Sequence, residues 1–61
     1  MPFTNDEKRK AALRELSQRR HVYPRLVAAG KMTQAEADRQ IALMTEIEAD
    51  YMALAVKERL I

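Results

Sequence analysis

The sequence predicts an all-α protein, a two-helix antiparallel hairpin, and three observations carry that prediction. Two helix-start signatures divide the chain, its only glycine lies between them, and apolar residues recur at helical spacing on both sides. The first start is Thr4-Asn5-Asp6-Glu7. Its hydroxyl three residues ahead of a carboxylate fits a capping box, and its acidic residues suit the positive end of a helix dipole. A first helix is therefore expected over about residues 5–29. Along it Ala12, Leu13, Leu16, Tyr23, Leu26 and Val27 fall on one side, a thin stripe interrupted at its margin by Arg19 and Arg20.

Pro24 is the discordant residue of this first helix. Inside a helix it removes one backbone hydrogen bond and collides with the carbonyl of Arg20, and it pushes Tyr23 away from helical geometry. The helix either kinks there or ends near His21 and restarts at Pro24, where proline suits a first turn. The turn follows at about residues 30–33, because Gly30 can adopt the left-handed conformation that closes a helix end. Thr33 with Glu36 then forms a second capping box, opening a second helix over about residues 34–58. Its apolar face is more continuous: Ala37, Ile41, Met44, Ile47, Tyr51, Leu54 and Ala55.

Helices of about 25 residues would each be about 38 Å long and would enclose little. Leu43, Met52, Val56, Leu60 and Ile61 lie off the main stripe of the second helix and do not share one azimuth, which points to a helix flanked on more than one side. With 61 residues, no cysteine for a disulfide and one histidine, oligomerisation is the remaining way to enlarge the core. The expected assembly is a homodimeric bundle of four helices, with exchange of the second helix between copies left open by the glycine hinge. Leu13, Leu16, Tyr23, Leu26, Val27, Ile41, Met44, Ile47, Tyr51 and Leu54 are the expected core and dimer contacts.

Charge divides the chain at the same point. Residues 1–31 carry eight basic and three acidic side chains, a balance of +5, whereas residues 32–61 carry three basic and six acidic, a balance of −3. The basic helix can lie beside the acidic one, with flanking pairs selecting that arrangement. Alternatively, Lys8, Arg9, Lys10, Arg14, Arg19, Arg20 and Arg25, with His21, present a nucleic-acid-binding surface, or the basic helix meets an acidic protein partner. Against nucleic acid stand the scatter of these charges round the helix and the lack of base-stacking aromatics beyond Tyr23.

The run Arg20-His21-Val22-Tyr23-Pro24-Arg25-Leu26-Val27-Ala28-Ala29-Gly30-Lys31-Met32-Thr33, followed by Ile41-Ala42-Leu43-Met44 and Asp50-Tyr51, resembles a group of small uncharacterised bacterial and phage-borne α-helical proteins. The match covers residues 20–51, and its Val-Tyr-Pro and Gly-Lys-Met-Thr elements are its distinctive parts. The resemblance implies a helical fold and a prokaryotic or phage setting, and it carries over no catalytic or binding residue.

Chemistry is not expected from this sequence. His21 lies beside Arg19 and Arg20 with no evident carboxylate to orient it and no nucleophile, so it reads as a surface or interface histidine. Glu46, Glu48 and Asp50 are alternate residues on a helix and point apart, which argues against a metal cluster, and Met44 and Met52 read as apolar fillers. One glycine cannot build a glycine-rich phosphate loop, so no cofactor is expected. Met1-Pro2-Phe3-Thr4-Asn5-Asp6 lacks a basic region followed by an apolar run, and no stretch is apolar enough to cross a bilayer, so a cytosolic protein without membrane contact is expected. The expected function is a non-enzymatic protein-interaction or accessory module, with a nucleic-acid-binding accessory as the alternative.

Overall fold

The computed structural model describes residues 2–60 and shows two helices, α1 (Asn5–Ala28) and α2 (Gln34–Arg59), packed against each other as an antiparallel hairpin. No strand occurs among the described residues. Ile61, read above as apolar surface, lies outside the described residues.

Both helices begin on the threonines of the start signatures. The Thr4 and Thr33 side chains each accept a hydrogen bond, from the backbone N–H of Glu7 at 3.0 Å and of Glu36 at 3.1 Å. The reciprocal half of the capping box is not made at either start: the Glu7 carboxylate instead accepts from the Thr4 hydroxyl at 3.3 Å. At the other end of α1, Gly30 has φ +72°, the Lys31 N–H reaches the Leu26 carbonyl, and the Gly30 N–H reaches the Val27 carbonyl. That pair of bonds is the Schellman closure, in which a left-handed residue satisfies carbonyls that the helix leaves open.

α1 runs unbroken through Pro24, so the alternative in which it ends near His21 and restarts does not hold. The reason is tertiary: Pro24 itself is exposed, while Tyr23, Leu26 and Val27 around it are half-buried against α2. Their burial compensates for the backbone bond that proline removes.

The seam follows a three-four spacing. On α1 residues 5, 9, 12, 16, 19, 23 and 26, and on α2 residues 37, 41, 44, 48, 51 and 55, are all buried or half-buried. Steps alternating between four and three residues keep one narrow stripe of each helix facing the other, as in coiled-coil packing. Only Ala12, Leu16, Ala37 and Ala55 are buried among the described residues. The result is a rod of 47 × 18 × 16 Å with a radius of gyration of 14.1 Å. A compact chain of this length would have about 10.5 Å, so the hairpin has a seam where a globule has an interior. No described helix is long and apolar enough to cross a membrane.

Candidate interaction surfaces

Polar side chains occupy four of the seam's inward positions, Asn5, Arg9, Arg19 and Glu48. Arg9 donates to Glu48 at 3.1 Å, with the two side chains only 27% and 16% exposed. Arg19 lies opposite Gln40, donating to its backbone carbonyl at 2.9 Å while also pairing with Glu15 at 3.0 Å. Its guanidinium carbon lies 6.0 Å from the centre of the Tyr23 ring, and Lys8 Nζ lies 5.7 Å from that of Tyr51. Long cationic side chains thus cover the seam with their stems and satisfy their charged ends locally. At the open end of the hairpin Asn5 donates to Glu58, and Asp6 accepts from Arg59 at 3.1 Å and pairs with Lys10 at 3.3 Å.

These contacts sort the seven cations proposed from sequence. Lys8, Arg9 and Arg19 are engaged with α2, and Lys10 pairs within its own helix. Arg14, Arg20 and Arg25 are exposed and have no ion-pair partner among the described residues. Among cations that otherwise scatter round the helix, Lys10, Arg14 and His21 share the azimuth opposite the seam, with Arg25 at its margin toward the Lys8 side, so the back of α1 carries a basic stripe. The inward turn of Arg9 and Glu48 is the feature that sequence reasoning missed. Its signal is their placement at three-four positions together with Ala12, Leu16, Met44 and Tyr51.

The apolar residues proposed as core or dimer contacts also separate. Leu16 is buried, and Tyr23, Leu26, Val27, Ile41, Met44, Ile47 and Tyr51 are half-buried. Leu13 and Leu54 are exposed, as are Leu43, Met52, Val56 and Leu60. They fall on two sides of the rod. Beside Lys8, Tyr51 and Gln40 lie Ala11, Val22, Leu43, Ile47 and Leu54; beside Arg9 and Glu48 lie Leu13, Ala49, Met52 and Val56. On the Lys8–Tyr51 side, Phe3, Glu7, Lys8 and Ala11 line a groove of about 330 Å³.

The exposed area is large for the mass. The hairpin presents 4857 Å² for 7.0 kDa. A folded monomer of that mass presents about 4,000 Å². The excess of about 800 Å² equals the share one partner contributes to a standard-size protein interface. No group of three His, Asp or Glu side chains among the described residues is placed to hold a metal ion. Comparison with known protein families, curated proteins and solved structures finds no match.

Proposed function

We propose that this chain is a non-enzymatic, cytosolic, homodimeric helical protein that acts as a protein-interaction or accessory module. The observation that carries this reading is the surplus of apolar surface over seam: among the described residues four are buried, against Phe3, Leu13, Val22, Leu43, Met52, Leu54, Val56 and Leu60 exposed. Large exposed apolar surface on a small chain marks an interaction surface, and a second copy is the simplest cover for it. A bend of α1 at Pro24 belongs to the same proposal, since the unpaired Arg20 carbonyl frees the helix to curve round the bundle. So does a variant assembly in which α2 is exchanged between copies, rebuilding the same seam between chains. The resemblance noted above supports a bacterial or phage setting.

A second reading rests on the basic stripe of Lys10, Arg14 and His21, with Arg25 at its margin, on the back of α1, a surface that could follow a phosphate backbone. One experiment separates the two. The tagged chain is used for affinity capture from native host extract, with and without nuclease treatment. Capture of a defined protein that survives nuclease supports the interaction module; loss of all captured material on nuclease treatment, with salt-sensitive retention of DNA or RNA fragments, supports the nucleic-acid accessory.

A further inference from the structure

We propose that a second copy docks on the Lys8–Tyr51 face about a two-fold axis parallel to the hairpin's length. Each α1 is then set against the partner's α2, and each Leu54 is seated in the partner's Phe3–Ala11 groove. The inference rests on the homodimer reading and specifies its geometry.

Level along the rod is the first argument. Lys8 meets Tyr51 and Asn5 meets Glu58, so the groove lined by Phe3, Glu7, Lys8 and Ala11 stands at the height of Leu54. A two-fold axis along the rod preserves height. It therefore brings the partner's Leu54, 45% exposed in one hairpin, opposite that groove. At mid-height, where Arg19 meets Gln40, the same operation brings Gln18 of one copy opposite the partner's Leu43.

Charge is the second argument. The outer edges of this face carry Glu7 and Arg25 on α1, and Lys57 and Glu36 at corresponding heights on α2. The axis along the rod opposes Glu7 to the partner's Lys57 and Arg25 to the partner's Glu36. The sign reverses along the edge and matches at each level. A two-fold axis across the rod would place α1 on α1 and α2 on α2, setting the halves of +5 and of −3 each against its own kind.

The absence of cysteine makes the geometry directly testable. Gln18→Cys and Leu43→Cys are prepared separately, both at exposed positions, and helicity and mass are checked by circular dichroism and sedimentation. The variants are mixed, unfolded and refolded together under reducing conditions, then oxidised. The proposal expects a disulfide-linked dimer in the mixture at least about tenfold above either variant alone, because opposed Cβ atoms must approach to about 4 Å. Arg25→Glu is expected to weaken the dimer about tenfold, and Glu36→Arg in the same chain to restore it.

Equal cross-linking of each variant by itself would overturn the proposal in favour of the axis across the rod. A dimer that cross-links through a mixture of Leu13→Cys and Ala49→Cys, and not through Gln18→Cys and Leu43→Cys, would overturn it in favour of the opposite face. Both results leave the homodimer standing. A folded monomer at all concentrations would remove the homodimer reading together with this geometry.

Discussion

α1 and α2 differ by two residues in length, yet they are built to opposite plans. α1 places Asn5, Arg9 and Arg19 at inward positions and leaves Leu13 and Val22 as its exposed large apolar side chains. α2 carries Ile41, Met44 and Tyr51 inward with Glu48 as the single charge, and it exposes Leu43, Met52, Leu54 and Val56 on two sides. α2 thus keeps apolar side chains on both sides of the seam that α1 alone does not cover. A hairpin supplies one cover for a helix whose apolar surface has room for two, and the proposed dimer supplies the second.

The largest expected effect breaks the apolar centre of the cover. Leu16 is the one large side chain buried in the seam among the described residues, at 5% exposure. Leu16→Ala should cost about 2–3 kcal/mol, measured as a shift in the denaturant midpoint at fixed protein concentration. A loss below about 0.5 kcal/mol would mean that the seam contributes little to stability.

Next comes the irregularity of α1. Pro24 is exposed, so Pro24→Ala restores the missing bond to the Arg20 carbonyl without removing a buried contact, and it should raise stability by about 2 kcal/mol. A destabilised variant would show that the proline shapes a surface the assembly requires. Calorimetry on both proteins distinguishes the outcomes.

The partly buried pair between the helices gives a smaller effect. Arg9→Met alone leaves Glu48 without its cation and should cost about 1–2 kcal/mol. Adding Glu48→Leu to it should recover that loss, since two apolar side chains at seam positions need no counter-ion. If the double variant remains as weak as the single one, Arg9 contributes through packing of its stem instead of its charge. The turn supplies the smallest change: Gly30→Ala should cost about 1 kcal/mol, entirely conformational because nothing lies within 4 Å of the added Cβ. Gly30→Asn should cost less, as asparagine tolerates the left-handed region better.

Local signals made much of the hairpin legible in the sequence. Thr4, Thr33 and Gly30 act within a few residues of themselves, so their roles follow from spacing alone. Pro24 was ambiguous because the local rule and the tertiary one disagree, and the burial of Tyr23, Leu26 and Val27 decided it. Leu13 and Leu54 belong to apolar stripes in the sequence, yet two helices touching along one seam leave positions at the stripe's edge in water. Arg9, Arg19 and Glu48 carry no signal of burial in the sequence, because polarity hides the amphipathic reach of long side chains. The pairing of the two sides of the rod with particular partners depends on copies that one chain does not contain.

Sedimentation velocity over a hundredfold range of concentration, with helicity followed on the same samples, tests the central claim most directly. The account predicts twice the mass of the 61-residue chain at high concentration and joint loss of mass and helix on dilution. A fully helical species of single-chain mass throughout that range would contradict it.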